Sequence, residues 1–262
     1  MIWKCATRQL DLSTTRVMGI VNVTPDSFSD GGRYFSPEEA LRRAANCAAE
    51  GADVVDFGGE STRPGATPIG WEEEWSRLEP VISAYAAKER RPIVSVDTYH
   101  AETARRAIAA GADAINCVYA PPPDMWALVE ETGCGLMIPR RPGEEPSENE
   151  RRFADHVMID PEIGFGTTRE EDIALLGALR RLAMTGKVCV GVSRKRLVKK
   201  LVGGRVTGKN LGGSLGAAIW CAMNGASLVR VHDVAETVQA IKVATSLAAW
   251  TAGGAGAEEA TA

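Results

Sequence analysis

The stretch Met18-Gly-Ile-Val-Asn-Val-Thr-Pro-Asp-Ser-Phe-Ser-Asp-Gly-Gly32 decides the fold of this chain. It begins within an apolar run, Val17–Val21, whose length and branched residues predict a buried strand. The remainder is polar and contains Pro25 and the pair Gly31-Gly32, which cannot continue a sheet. A buried strand that ends abruptly in a long polar loop is typical of a barrel rim. Because Phe28 stands alone among polar residues, we interpret this loop as an ordered functional loop rather than a surface turn.

The rest of the chain alternates between strand-like and helix-like segments. Each of eight short apolar runs is followed by a segment with helical spacing. In a chain of 262 residues, this alternation predicts an α/β fold of the (β/α)8 TIM-barrel type. The predicted strands are residues 17–21, Val54–Phe57, Ile93–Asp97, Ala114–Asn116, Gly135–Ile138, Val157–Asp160, Val188–Val192 and Leu228–Val231.

Local signals refine the helices. Ser36-Pro-Glu-Glu39 has the pattern of a capping box, so we expect a helix from there to about Glu50. One continuous helix is expected from about Arg169 to Met184. The segment Arg140–His156 has room for a helix of about ten residues, or roughly 15 Å. The fifth outer helix is therefore predicted to be shortened or missing.

The domain organisation is expected to be simple. Residues 1–250 are predicted to form a single TIM-barrel domain, in which residues 1–16 make an N-terminal hairpin below the barrel. Residues 251–262 are rich in Gly, Ala and Glu, and we expect them to be a disordered tail.

Composition and charge exclude several classes of protein. The net charge is −4 without a basic run, which argues against a nucleic-acid partner. No apolar run is long enough to span a bilayer, and no signal-peptide core is present, so no membrane partner is expected. The six cysteines are scattered without metal-ligand spacing, which favours reduced thiols in a cytoplasmic protein.

Polar residues follow nearly every predicted strand at its carboxyl end, where the active sites of TIM barrels lie. An Asp at one strand end is more often a helix cap than a catalyst, but so many converging polar positions are hard to explain as caps alone. These positions are Asn22, Asp56, Asp97, Asn116, Asp160, Ser193-Arg194-Lys195, Arg230 and His232.

The strand-end residues divide into two chemical sets. A ring set offers carboxylate acceptors, an amide and a cation, which suits a planar heterocycle such as a pterin or a guanine-like ring. An anion set offers donors and positive charge, which suits a mono- or diphosphate, with Asn22 or Asp26 able to hold a bridging Mg²⁺. The ring set is Asp97, Asn116, Asp160 and Lys195, and the anion set is Asn22, Arg63, Arg230 and His232.

A third group lies between these sets, in the loops that follow the first two predicted strands. Phe28, Thr62 and Pro64 supply an apolar and small-polar slot for a flat second substrate. A ring, a pyrophosphate and a flat nucleophile together suggest group transfer with pyrophosphate as the leaving group.

Several separated motifs then occur in a specific order. With them the chain resembles the dihydropteroate synthases of the pterin-binding family over nearly its whole length. The motifs are Met18–Gly32, Gly58-Gly-Glu-Ser-Thr-Arg-Pro-Gly-Ala66, Ser95-Val-Asp-Thr98, Asp160-Pro with Gly164-Phe-Gly166, Gly191-Val-Ser-Arg-Lys195 and Val229-Arg-Val-His-Asp-Val234.

The resemblance implies condensation of 6-hydroxymethyl-7,8-dihydropterin pyrophosphate with 4-aminobenzoate, giving 7,8-dihydropteroate and pyrophosphate in folate biosynthesis. It implies Mg²⁺ as cofactor, with Asn22 as a ligand, and a homodimer formed through the last helices. The implied pterin residues are Asp97, Asn116, Met137, Asp160 and Lys195, and the implied pyrophosphate residues are Asn22, Arg63, Arg230 and His232. The implied aminobenzoate residues are Phe28, Thr62, Pro64, Lys195 and Arg196.

The resemblance also implies a dissociative mechanism, in which pyrophosphate leaves first and the amine traps a pterin cation. Carboxylates near the ring would favour that cation, and closure of the two loops would exclude water. The implied catalytic residues are Asp26, Asp30, Asp97 and Lys195.

Departures from the family pattern leave other functions open. The supporting carboxylate after Asn116 is replaced by Cys117, Glu162 stands where the family has Gly, and Arg196 stands where it has Ser. One alternative is a catalytically weak paralogue that acts as a pterin-binding protein. Another, ranked lower, is a pterin-dependent methyltransferase. If the chain is a dihydropteroate synthase, Arg196 could make the aminobenzoate slot discriminate against sulfonamide mimics of aminobenzoate.

Overall fold

A computed structural model describes residues 1–24, 36–61, 67–203 and 210–252. The described residues contain an eight-stranded parallel sheet that confirms the TIM barrel. Its strand order is β8-β7-β6-β5-β4-β3-β10-β9, and an isolated parallel bridge between Ile159 and Val188 joins the two outer strands. The barrel strands are β3 (Arg16–Asn22), β4 (Val54–Gly58), β5 (Ile93–Asp97), β6 (Ala114–Asn116), β7 (Gly135–Pro139), β8 (Val157–Asp160), β9 (Cys189–Gly191) and β10 (Leu228–Val231).

The strands form where the sequence has short Val- and Ile-rich runs, and both faces of these strands are buried. Outward-facing side chains pack against the surrounding helices in the main hydrophobic core. Inward-facing side chains, among them Met18, Met137 and Met158, fill the barrel interior. The polar residues lie at the carboxyl end of the strands, and these residues form the candidate site.

The helices surround the barrel, and within the described ranges there are ten of them. They are α1 (Pro37–Ala49), α2 (Trp71–Ala86), α3 (Ala101–Ala109), α4 (Pro123–Thr132), α5 (Glu148–Arg152), α6 (Arg169–Gly177), α7 (Leu179–Ala183), α8 (Arg196–Leu201), α9 (Leu211–Met223) and α10 (Val234–Ala252).

Two of the helix predictions are wrong in detail. Ser36 is the N-cap of α1, but its hydroxyl donates to the Glu38 carboxylate and accepts no capping hydrogen bond. The expected helix from Arg169 to Met184 is divided at Ala178 into α6 and α7. Capping boxes are instead formed at the starts of α5 and α6, where the Ser147 and Thr168 hydroxyls each accept from a backbone N–H.

The predicted shortening of the fifth outer helix is confirmed. Only the five residues of α5 are helical in the segment that joins β7 to β8. A buried ion pair lies beside this short helix, with Arg140 Nη1 3.4 Å from Glu150 Oε2. Arg140 Nη2 also donates to Thr185 Oγ1 at 2.7 Å. A polar contact therefore ties the short helix to the loop that follows α7.

A hairpin covers the amino end of the barrel. Its antiparallel strands are β1 (Ile2–Cys5) and β2 (Arg8–Asp11). Trp3 is fully buried, and its indole N–H donates to the His156 carbonyl at 2.7 Å. A Cβ atom at Gly135 would lie 2.7 Å from the Trp3 ring, so the tryptophan requires glycine at this position.

The expected tail lies outside the described residues from Gly253 onward. Among the described helices, none combines the length and apolar character needed to cross a membrane.

Candidate active site

Three neighbouring strands bring the first polar group together. Asp97 ends β5 and Asn116 ends β6, and the two residues are in register. Asp56 lies within β4, two residues before Gly58, which is the register partner of Asp97. Because side chains two apart on a strand share a face, Asp56 and Asp97 both point into the barrel. The carboxyl ends of β4, β5 and β6 thus supply two carboxylates and an amide to one pocket.

Arg230 joins this group from β10. Its Nε donates to Asp56 Oδ2 at 2.6 Å, and its Nη2 donates to Asp97 Oδ2 at 2.8 Å. Arg230 is in register with Met18, below the level of Asp56, and its long side chain spans the difference. Arg230, a member of the predicted anion set, thus pairs in the structure with Asp97 of the ring set, because the two carboxylates attract its guanidinium. Its contact with a pyrophosphate remains a prediction.

Asp56 organises the group, although it is in neither of the two predicted sets. The residue is fully buried, and its Oδ2 also accepts from Asn116 Nδ2 at 3.1 Å. Its Oδ1 has no hydrogen-bond partner among the described residues. A charged residue inside the apolar strand Val54–Gly58 is the signal that could have identified it.

Lys195 enters the pocket from the loop after β9. Its Nζ donates to the Ile163 carbonyl and lies 4.8 Å from the centre of the Phe165 ring. Its side chain passes two glycines. A Cβ atom at Gly164 would be 3.2 Å from Lys195 Cδ, and one at Gly191 would be 3.6 Å from its Nζ. The Gly164-Phe165-Gly166 motif therefore leaves room for the lysine.

Asp160 ends β8 on the same side of the barrel. Its Oδ1 accepts from the backbone N–H of Glu162 at 2.7 Å. Glu162 has φ of 61°, a left-handed conformation that explains the preference for Gly at this position. Its carboxylate accepts from Arg141 Nε at 3.1 Å. The departure at Glu162 thus retains the turn that presents Asp160, at a conformational cost.

Met137 and Asn22 are placed by the sheet register. Met137 is in register with Asn116 and is fully buried with the other inward-facing side chains. Asn22 ends β3 beside Gly58 and is half-buried. Both residues lie on strands that border the pocket. Their contacts with a ligand remain predictions. The Cys117 thiol donates to the Tyr119 carbonyl at 3.2 Å.

The loops after β9 and β10 are joined at the rim. Ser193 Oγ accepts from the His232 N–H at 3.2 Å and lies 3.1 Å from His232 Nδ1. The Arg194 guanidinium makes a bidentate contact with the Asp233 carboxylate, at 2.6 and 3.1 Å. Ser193 is one of the predicted strand-end positions, but its pairing with His232 and the pairing of Arg194 with Asp233 could not be predicted, because each joins residues 39 positions apart in the chain.

The remaining predicted residues do not all fall within the described structure. Arg196, at the start of α8, is exposed, and its guanidinium makes no ion pair with another described residue. Six predicted residues lie outside the described ranges. They are Asp26, Phe28, Asp30, Thr62, Arg63 and Pro64.

Burial dominates the electrostatics of the pocket. It raises the pKa of Asp97 to about 7, an effect that Arg230 opposes and that Asp56 reinforces. Burial likewise raises the pKa of Asp160, against the opposing charge of Lys195. It lowers the pKa of Lys195, and here Asp160 opposes the change. The pKa values of Asp97, Asp160 and Lys195 therefore depend on the charges of their neighbours in the pocket.

This arrangement matches the edges of a flat nitrogen heterocycle. Carboxylates such as those of Asp97 and Asp160 are able to accept hydrogen bonds from ring N–H and amino groups, and the Asn116 amide and the Lys195 ammonium are able to donate to ring oxygen or nitrogen atoms. Within the described ranges, no cluster of three or more His, Cys, Asp or Glu is placed to hold a metal ion.

Comparisons with known proteins agree with this geometry. The model of the pterin binding enzyme family matches residues 18–157 and 152–232. A dihydropteroate synthase of Streptococcus pyogenes is 38% identical over 254 residues, which cover 88% of this chain and 95% of that protein.

Solved structures of dihydropteroate synthase are similar over most of the molecule. The Xanthomonas albilineans enzyme with 4-aminobenzoic acid superposes with a TM-score of 0.85 at 39% identity, covering 95% of this chain and 98% of that one. A structure from the same organism in complex with 7,8-dihydropteroate has a TM-score of 0.82 at 37% identity, covering 95% of this chain and 99% of that one.

Proposed function

Since the chain belongs to the family of pterin binding enzymes, we propose that it is a dihydropteroate synthase. It condenses 6-hydroxymethyl-7,8-dihydropterin pyrophosphate with 4-aminobenzoate and releases pyrophosphate and 7,8-dihydropteroate. The observation that carries this proposal is the joint pocket of Asp56, Asp97, Asn116 and Arg230 at the carboxyl end of the barrel. The product and one substrate of the reaction are bound by similar enzymes.

The pterin ring is held by the inner part of the pocket. The Asp97 and Asp160 carboxylates accept from the amino and ring N–H groups, and Asn116 donates from its amide. Lys195 leaves the Ile163 carbonyl to donate to the ring. Met137 forms part of the apolar surface below it. Burial of these groups in a low-dielectric pocket strengthens each contact.

The pyrophosphate lies at the outer part of the pocket. Asn22, Arg230 and His232 contact it, together with Arg63, and their positive charge and N–H donors stabilise the leaving group as negative charge develops on it. The Asp97 and Asp160 carboxylates stabilise the pterin cation that remains, as do Asp26 and Asp30. The negative charge on the leaving pyrophosphate thus faces N–H donors and positive side chains, and the positive charge on the pterin faces carboxylates.

Mg²⁺ fits this site as a partner of the pyrophosphate. The Asn22 side-chain oxygen would be its protein ligand, because magnesium binds few protein oxygens and takes the rest from phosphate and water. When bound, the ion neutralises part of the charge on the departing pyrophosphate.

The aminobenzoate lies between the inner pocket and solvent. Lys195 and Arg196 are adjacent at the rim, where they attract its carboxylate. Phe28, Thr62 and Pro64 complete the slot and exclude water, which would otherwise react with the cation in place of the amine.

A homodimer is part of the proposal. α9 and α10 pack side by side, and each presents large apolar side chains to solvent: Trp220 and Met223 from α9, and Val243, Leu247 and Trp250 from α10. Exposed apolar surface of this kind is typical of a protein interface. A cytoplasmic location is also proposed, since all six cysteines lie in the described ranges and are free.

A pyrophosphate-release assay with both substrates and Mg²⁺ tests the function. We expect pyrophosphate and 7,8-dihydropteroate in equal amounts, and no release when 4-aminobenzoate is omitted. Pterin binding without turnover would contradict the proposal and would favour a pterin-binding paralogue. A molar mass in solution that corresponds to a single chain would contradict the homodimer but not the enzymatic function.

A further inference from the structure

One hydroxyl joins the ends of β9 and β10. Ser193 is buried two residues after β9, and His232 is half-buried directly after β10. The Ser193 Oγ atom contacts both the backbone N–H of His232, at 3.2 Å, and the ring atom Nδ1, at 3.1 Å. The serine therefore contacts the main chain and the imidazole of the same residue.

A count of donors and acceptors assigns the ring proton. A hydroxyl has one hydrogen and two lone pairs, and the backbone N–H of His232 occupies one lone pair. Among the described residues, His232 Nδ1 is the one acceptor in reach of the Ser193 hydrogen. If Nδ1 carried the proton, the buried hydroxyl hydrogen would have no acceptor within the described ranges, which is unfavourable. Nδ1 is therefore the acceptor, and the proton of the neutral ring is on Nε2.

We propose that Ser193 is a positioning residue that holds His232 in the Nε2-protonated tautomer. Nε2 then presents a fixed N–H donor to an anionic oxygen of the pyrophosphate. This inference rests on the role of His232 in the proposed function, and it adds the residue that sets the orientation and the tautomer of that histidine. In a neutral histidine, the nitrogen that carries the proton is set by the hydrogen bond that the other ring nitrogen makes.

The residues that follow Ser193 and His232 keep the two loops at this distance. The bidentate pair of Arg194 and Asp233 joins them directly, and the Arg194 N–H donates to Ser214 Oγ at 3.0 Å. Arg43 Nη2 donates to the His232 carbonyl at 2.5 Å. Arg194 has φ of 59°, an uncommon conformation for a residue with a side chain, and these contacts retain it.

The tautomer is measurable directly, because the chain has three histidines. Protein labelled with ¹⁵N in the imidazole ring is examined by long-range ¹H–¹⁵N NMR without ligand, and the variant His232→Asn identifies the signals of this residue. We expect wild-type His232 to carry its proton on Nε2. In Ser193→Ala the two tautomers should mix, and in Ser193→Thr, which keeps the hydroxyl, the wild-type pattern should return. A wild-type ring protonated on Nδ1, or an unchanged spectrum in Ser193→Ala, would overturn the proposal.

Kinetics give the functional readout. Loss of one oriented donor should lower kcat/KM for the pterin pyrophosphate about tenfold in Ser193→Ala and weaken inhibition by inorganic pyrophosphate to a similar extent. The KM for 4-aminobenzoate should not change. Ser76→Ala is the matched control, because the exposed Ser76 hydroxyl donates to the Glu73 carbonyl on α2, away from the pocket. Equal losses for both substrates would indicate a merely structural role and would contradict the proposal.

Asp233→Asn provides a second variant should Ser193→Ala fail to fold. It weakens the bidentate pair with Arg194 but keeps the side-chain shape, so it should shift the His232 tautomer population in the same direction. An unchanged population in Asp233→Asn would overturn the positioning role of the pair. If wild-type protein forms no product, the proposed function fails, whereas the tautomer of His232 is decided by the NMR measurement alone.

Discussion

Replacing Asp56 with Asn tests how the pocket is held together. Asp56 is fully buried and accepts from both Arg230 and Asn116 through one oxygen. The substitution keeps the shape and removes the charge. A hydrogen bond to a charged group contributes about 1.5–3 kcal/mol, and Arg230 retains its contact with Asp97. We therefore expect the free energy of unfolding to fall by about 2 kcal/mol, measured by urea denaturation.

The same variant should change ligand binding. Without the Asp56 charge, Arg230 is drawn to Asp97 alone, and the Asn116 amide loses its charged acceptor. We expect pterin affinity to fall about tenfold in calorimetric titrations, which corresponds to about 1.4 kcal/mol. The control is Asp53→Asn. Asp53 accepts from the Val17 N–H at 2.9 Å and pairs with Arg16 at the amino end of the barrel.

The pH dependence of stability gives a third readout. Burial raises the pKa of Asp97 to about 7 in the folded protein, above its value of about 3.9 in an unfolded chain. Between these values the folded state binds more protons, so this group's contribution to stability falls as pH rises from about 4 to about 7. Asp56 reinforces the upward shift. In Asp56→Asn the decline should therefore end at a lower pH.

Two outcomes would refute this reasoning. Wild-type pterin affinity in Asp56→Asn would show that Asp56 does not orient the binding groups. An equal loss of affinity in Asp53→Asn would show that the effect comes from general destabilisation of the barrel. An unchanged pH profile of stability would contradict the coupling of Asp56 to Asp97.

Three further variants test other parts of the molecule. Lys195→Ala should abolish measurable pterin binding with little loss of thermal stability, whereas undiminished binding would exclude its role. Glu162→Gly should relieve a left-handed conformation that costs about 1–2 kcal/mol, against the loss of its Arg141 contact and a more flexible unfolded chain. Its melting temperature should stay close to that of wild type, and a large decrease would contradict the strain. Trp3→Ala should lower the free energy of unfolding by about 3–5 kcal/mol in denaturant titrations and leave pterin affinity unchanged in the folded protein.

The barrel is predictable from sequence because its signals are local. Each strand is a short apolar run, and the residue at its end becomes polar where the pocket begins. The short helix between β7 and β8 is predictable because the segment has too few residues for a full outer helix. The division at Ala178 is not predicted by helical spacing, because both halves keep that spacing and both present buried leucines, among them Leu179 and Leu182.

The pocket is only partly predictable. The sequence identifies which residues end strands, but the direction of a long side chain depends on charges elsewhere in the chain. Arg230 turns toward Asp56 and Asp97, which are 174 and 133 positions away. The Ser36 hydroxyl donates to the Glu38 carboxylate, and this local contact competes with the capping geometry in which its oxygen would accept from a backbone N–H. Such competition is resolved in three dimensions and leaves no pattern along the chain.

The glycines beside Lys195 have a consequence for sequence variation. Neither glycine has a side chain that could take part in the reaction. Both should nevertheless tolerate few substitutions in a saturation library selected for growth without added folate. Gly164 has φ of 80°, and an added Cβ would crowd the lysine, so alanine should already be depleted there. A Cβ atom at Gly191 would lie 3.6 Å from Lys195 Nζ, an ordinary van der Waals contact, so alanine should survive selection there while the larger valine should not. Tolerance at these two sites would then measure the space that a neighbouring side chain needs to reach its ligand.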